Sequence, residues 1–185
     1  GMGTEENQMF ILKHLLSYKE DIKKAMEKGT YFLATGNAIE LFGKYIVTQE
    51  NKKVKTLQIF PYTTKLEKFR MVDEVFATTN LVPSPILGFQ NQFGVIMDSK
   101  KPIFTMKRGI GSYPNSKTEG YQDKNFFGTY FIGPLLVRNP ELLEYFCKML
   151  CEKKGLKFNL KNCNLTLEKK AHQTFLENYY KELIK

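Results

Sequence analysis

Residues 31–46, YFLATGNAIELFGKYI, set the tightest limit on what this chain can fold into. An apolar run from Tyr31 to Ala34 meets four small or turn-forming residues, Thr35, Gly36, Asn37 and Ala38, and apolar side chains then recur at Ile39, Leu41, Phe42 and Tyr45. The order predicts a buried strand over 30–34 that breaks sharply into a helix over 38–46. Such an elbow exposes a nucleophile or cradles an anion. At its apex, where such an enzyme carries Ser, Cys or a phosphate-binding glycine loop, this chain has Gly36.

The flanking sequence supplies helices and strands in alternation. Apolar positions from Met9 to Met26 predict one helix over Asn7–Lys28, stopped by Gly29. Val54 to Phe60 alternates as a strand does, and further strands are predicted near 70–77, 85–97, 102–107, 118–122 and 126–131. RNPELLEYFCKMLCEKKG reads as a helix with Asn139 as N-cap, Pro140 at the first position, Glu141 in the first turn and Gly155 beyond the end. A last helix is predicted over 166–184. The expected class is α/β, a sheet with helices on its faces.

With 185 residues, 42% hydrophobic and 25% charged, the chain can bury one proper core, and residues 1–185 are expected to form a single domain. No run approaches the roughly 18 apolar residues of a membrane span, and no secretory signal pattern opens the chain, where Gly1 before Met2 reads as a tag remnant. The cysteines, Cys147, Cys151 and Cys163, are odd in number and form no CxxC pair, so neither a disulfide framework nor a zinc site is indicated and a reducing cytoplasm is the default. Cys147 and Cys151 read as packing residues on one helix, and His14 and His172 as structural histidines. The net charge of +9 is spread over separate lysine pairs rather than gathered into a tract, which favours solvated faces over a nucleic-acid surface.

Three segments carry a family resemblance: LATGNAIELFGKY, ILGFQNQFG, and KTEGYQDKNFFGTYFIGPLLVRNPELLEYF. Their order and spacing resemble those of the class I glutamine amidotransferases of the cobyric acid synthase group, and within it the amidotransferase subunit of lipid II isoglutaminyl synthase. The family pattern has a Cys-Gly-Gly-Tyr-Gln-Leu-Leu-Gly elbow, a Gly-Phe-Glu-Asn-His segment and a Gly-Thr-Tyr-Leu-His-Gly-Pro-Leu-Leu motif leading into an Asn-Pro-Glu-Leu helix. The likeness covers residues 2–150, with 155–185 as a helical extension. It implies the flavodoxin-like three-layer sheet of that family, without the strands formed by the about 40 to 50 residues that family members carry before the point matching Met2.

In such enzymes a cysteine attacks the side-chain amide of glutamine, a histidine relays the proton, and ammonia passes to a partner synthetase. The resemblance places that cysteine at Gly36, the two glycines after it at Asn37 and Ala38, and the histidine at Ile132. Gln90 and Gln92 stand where the family has Glu and His, and Val95 stands near an arginine that holds the glutamine carboxylate. Nucleophile, relay and anchor are all replaced, so no catalytic residue is expected at Gly36 or Ile132 and no substrate-binding residue at Asn37, Gln90, Gln92 or Val95. Thr35 beside the apex reads as filling a strand end. Loss of a nucleophile costs about a millionfold in turnover.

The implied reading is a catalytically inactive amidotransferase-like protein acting as a structural or regulatory partner in lipid II or cobyrinate amidation, with a Mur-ligase-like synthetase, a homodimer or another hetero-complex as its assembly. It needs no cofactor and no metal. Two other readings stand beside it: an active subunit completed by groups from outside this chain, and a basic nucleic-acid-binding module. A site lined by Ile132 and Val95 is also expected to be too small and dry for glutamine.

Overall fold

The computed structural model describes residues 1–159 and 164–183. The amino-terminal stripe is broken into two helices, α1 (Glu5–Leu15) and α2 (Lys19–Glu27), joined by a 3-10 turn at Leu16–Tyr18. One continuous helix was expected. At the break the Ser17 hydroxyl donates to the His14 carbonyl at 2.7 Å, a local bond that competes with the helical ladder. Thr4 caps α1, its hydroxyl accepting from the Asn7 N–H, and Gly29 ends the second helix at φ +78°.

The elbow follows. β1 (Phe32–Thr35) ends at Gly36, which has φ +62° and opens a 3-10 segment, Gly36–Phe42. The α-helix expected over 38–46 is therefore replaced by this tighter turn and by β2 (Tyr45–Val47). Gly43 stops the segment where the chain closes on Tyr62: a Cβ there would lie 2.8 Å from the Tyr62 carbonyl oxygen. Past that point Ile46, Val47 and Thr48 favour extended backbone. The strand expected over 54–60 is likewise shorter, β3 (Lys53–Lys55). The N–H groups of Leu57, Ile59 and Phe60 turn back to the carbonyls of Leu41 and Phe42 at 2.9–3.1 Å, satisfying the end of the 3-10 segment instead of a sheet ladder.

Two long strands, β4 (Thr63–Thr79) and β5 (Ile86–Met97), form an antiparallel hairpin whose register breaks between Leu66 and Met71. Beyond it come β6 (Phe104–Arg108), β7 (Thr118–Glu119), β8 (Tyr121–Asp123) and β9 (Phe126–Thr129), then α3 (Leu135–Arg138), α4 (Pro140–Lys153) and α5 (Thr166–Tyr179). The α4 helix starts where its sequence predicts. Cys163 and residue 184 of the expected last helix lie outside the described residues.

The strands form a three-stranded sheet ordered β1-β9-β8 and a six-stranded one in which β4 carries β2, β5 and β6. Among the described residues, parallel pairing is confined to β1 with β9 and β2 with β4. Period-2 alternation on the hairpin then sorts its side chains to two helical layers. Val75, Ala77 and Ile86 face Leu142 and Phe146 of α4, while Phe76 and Leu87 face Leu176 and Tyr180 at α5. A third cluster, with Ile39, Tyr62, Phe126 and Tyr130, packs under the elbow. The chain is thus a mixed α/β protein with helices on both faces of its central hairpin, the class its alternating pattern predicts.

Candidate functional site

A left-handed backbone at a strand end is the conformation glycine takes without strain, and Gly36 uses it. The elbow brings Gly36 against Ile132, which follows β9. The Ile132 N–H donates to the Phe89 carbonyl at 2.9 Å, bridging to β5. A Cβ on Gly36 would lie 3.1 Å from Ile132 Cγ2 and 2.7 Å from Met2 Cβ. The two positions that the family resemblance matches to nucleophile and relay are thus neighbours, with apolar atoms of Met2 and Ile132 where a side chain on Gly36 would begin.

Asn37 holds the amino-terminal segment across the elbow. Its Nδ2 donates to the Gly3 carbonyl and its Oδ1 accepts from the Gly3 N–H, both at 3.0 Å, as a paired backbone would. Gln90 and Gln92 are buried on β5 and turned toward the 109–112 loop. Gln90 Nε2 donates to Gln92 Oε1 and to the Gly111 carbonyl, and Gln90 Oε1 accepts from the N–H groups of Ile110 and Gly111 at 3.1 Å. Gln92 Nε2 donates to the Gly94 carbonyl at 2.9 Å. Both amides staple a glycine turn, and Val95 is buried among core residues opposite Lys65.

The elbow also carries a buried acid that sequence reasoning missed. Glu40 is 1% exposed, its Oε2 accepting from Gln8 Nε2 at 2.8 Å and its Oε1 from the Tyr130 hydroxyl at 3.0 Å. Burial without a cation raises its pKa to about 7 against the pull of those two bonds. Gln8 Nε2 also reaches the Asn37 carbonyl at 2.7 Å, so α1, elbow and β9 end are tied through one carboxyl. Glu40 lies between Ile39 and Leu41, a charge inside an apolar run, which was the signal available. Glu119 is a second fully buried acid, raised to about 7 by burial while accepting from the Thr129 hydroxyl and the Tyr130 N–H.

Beside the elbow an opening lined by Asn37, Glu40 and Gln92 has a volume of about 10 Å³, room for one water. Met2, Gly3 and Arg70 wall it in. His14 is exposed against the Phe10 ring, and Cys147 and Cys151 are half-buried on α4. His172, expected to be an ordinary structural histidine, is buried with one ring nitrogen on the Arg138 carbonyl and the other without a partner among the described residues. No group of three His, Cys, Asp or Glu among those residues is placed to hold a metal, and no helix among them is long and apolar enough to cross a membrane.

Two curated proteins are similar to this chain over most of its length. The lipid II isoglutaminyl synthase (glutamine-hydrolyzing) subunit GatD of Staphylococcus aureus is 27% identical over 177 residues, 96% of this chain and 72% of the relative. The protein of the same name from Streptococcus pneumoniae is 29% identical over 145 residues, 77% of this chain and 56% of that relative. A solved glutamine amidotransferase from Thermotoga maritima aligns at a TM-score of 0.46 and 14% identity, over 94% of this chain and 69% of that one. Residues 2–140 match the model of the CobB/CobQ-like glutamine amidotransferase domain, and the chain belongs to that family.

Proposed function

We propose that this chain is a catalytically silent glutamine amidotransferase-like subunit that acts by association, as a structural or regulatory partner of a Mur-ligase-like synthetase in lipid II amidation. The observation that carries the reading is the contact at the elbow. Gly36 offers no nucleophile, Ile132 offers no base, and Met2 and Ile132 occupy the volume in which a side chain on Gly36 would stand. The relatives' printed names place them as subunits of a glutamine-hydrolyzing synthase, which favours a role in a complex.

β1 is the natural place for assembly. Phe32 N–H donates to the Asn125 carbonyl, so Leu33 and Thr35 direct their backbone groups to the other edge, where no strand pairs among the described residues. Leu33 is 40% exposed there. The test is incubation with glutamine at neutral pH, alone and with a candidate synthetase, reading ammonia and glutamate. No release above buffer is expected in either case. Release that is blocked by a glutamine-analogue alkylating agent would establish the active-subunit reading instead.

A further inference from the structure

Away from the elbow, a cavity of about 260 Å³ lies between the β4–β5 connection, the start of α4 and one face of α5. It is just under the size range of about 300–1,000 Å³ of sites for drug-sized ligands, and so suits a smaller molecule. Lys169, His172 and Gln173 line it from α5, spaced so that all three project from one side of the helix. Val82, Pro85 and Ile86 give it an apolar wall.

The polar groups in this cavity are only partly engaged. His172 is 8% exposed, and its Nδ1 stands 2.7 Å from the Arg138 carbonyl. A carbonyl only accepts, so Nδ1 carries the proton of that bond. Nε2 has no partner among the described residues and almost no surface open to a ligand, so the ring serves as part of the cavity wall. Glu141 Oε2 accepts from the Ser84 N–H at 3.3 Å, which leaves its other oxygen to a second donor. Lys169 Nζ spends one contact on Glu144 Oε1 at 2.7 Å and has two further N–H groups. The cavity therefore asks for a donor at Glu141, an anion at Lys169 and a short apolar body between them.

We propose that this cavity is a binding site for a free α-amino acid with an aliphatic side chain. Its ammonium donates to Glu141, its carboxylate is held by Lys169, and its side chain lies on Val82, Pro85 and Ile86. The inference does not depend on the state of the elbow.

The test is titration of the full chain at pH 7.5 with L-leucine, followed by calorimetry and by amide NMR shifts. Leucinamide, which lacks the carboxylate, and N-acetyl-leucine, which lacks the ammonium, are titrated in parallel. The expected result is a Kd of about 1 mM or tighter for leucine, with each analogue weakened about tenfold or more. Shifts should centre on residues 84, 141, 169 and 172. Lys169→Met should erase the preference for leucine over leucinamide, and Glu141→Gln the preference over N-acetyl-leucine. Both positions sit at the cavity rim rather than in the core, so circular dichroism serves as a check on the fold. Absence of leucine binding up to its solubility limit, equal binding of all three compounds, or unchanged binding in both variants would overturn the proposal. Because the readout is leucine binding, it stands or falls separately from the glutamine assay.

Discussion

Glu40 should make the protein less stable as pH rises through neutrality. In the unfolded chain its carboxyl titrates near 4.5, whereas in the folded protein burial raises it to about 7. The native state therefore holds the proton more tightly than the unfolded state, and the unfolding free energy falls with pH between those two values. The stabilisation is fully present below about pH 4.5 and is lost as pH passes 7. At 1.36 kcal/mol per pH unit the span corresponds to on the order of 3 kcal/mol. Glu119 acts in the same direction. The variant that isolates Glu40 is Glu40→Gln, which keeps the size of the protonated acid and cannot ionise. Its new N–H groups face the Tyr130 hydroxyl and Gln8, whose own side-chain oxygen has no partner among the described residues. The chain has no Trp, so urea unfolding is best followed by far-ultraviolet circular dichroism at pH 5 and pH 8.5. The wild-type protein should lose more stability between the two pH values than Glu40→Gln does, by about 2–3 kcal/mol. Equal losses in the two proteins would refute the reasoning, since Glu40 would then ionise in the folded state without cost.

Three further outcomes follow from the same contacts. Gly36→Cys should lower stability by about 2–4 kcal/mol, because it combines a left-handed φ with a Cβ only 2.7 Å from Met2, and should give no glutaminase activity; thermal melting and the ammonia assay check both. Asn139→Ala should cost about 3 kcal/mol or more in urea unfolding, since its side chain accepts from the Leu87 N–H and donates to the Leu87 and Leu135 carbonyls in a buried site. Association through β1 should give a mass above the 21.5 kDa monomer in light scattering, alone or with the synthetase, and Leu33→Lys should weaken it; a monomer in both settings would count against edge pairing.

What the sequence disclosed was mainly what short-range chemistry controls. The elbow was legible because a glycine directly after an apolar run forces a corner, and α4 because Asn-Pro-Glu-Leu is a start signal that needs no tertiary help. The same Asn139 shows the limit. It was read as a helix cap, yet no cap bond forms, because its side chain is spent on β5 and α3. Residues 38–46 failed for a similar reason: their helical spacing is real, but contact with Tyr62 at Gly43 decides where the segment ends. The pairing of Gly36 with Ile132 has no local signal at all and was reached only through motif order. Glu40 was passed over, and the contacts of His172, read only as a structural histidine, were not foreseen, since burial of a polar side chain depends on partners, Gln8 and Tyr130 in one case and Arg138 in the other, that lie far off in sequence.

The residues at the elbow have structural work of their own, and this bears on whether a cysteine and a histidine could be accommodated there. Gly36 admits Met2, and Asn37 then fixes Gly3 through two bonds that a glycine in its place could not make. Gln8, arriving on the same segment, meets Glu40, and the Glu40 carboxyl meets Tyr130. Gly94 belongs to this set as well: a Cβ there would collide with Glu40 Oε1, so β5 can approach the elbow only without a side chain. Earlier on the same strand Gln90 closes the 109–112 loop with a bond that a Glu could not reproduce, because a carboxylate has no N–H to give to the Gly111 carbonyl. Introducing a cysteine and a histidine one at a time would thus break contacts before it built a reaction path. A segment that must be displaced together with its partners behaves as a unit, and only its joint removal, Met2 and Gly3 with Ile132, would reopen space for a glutamine side chain.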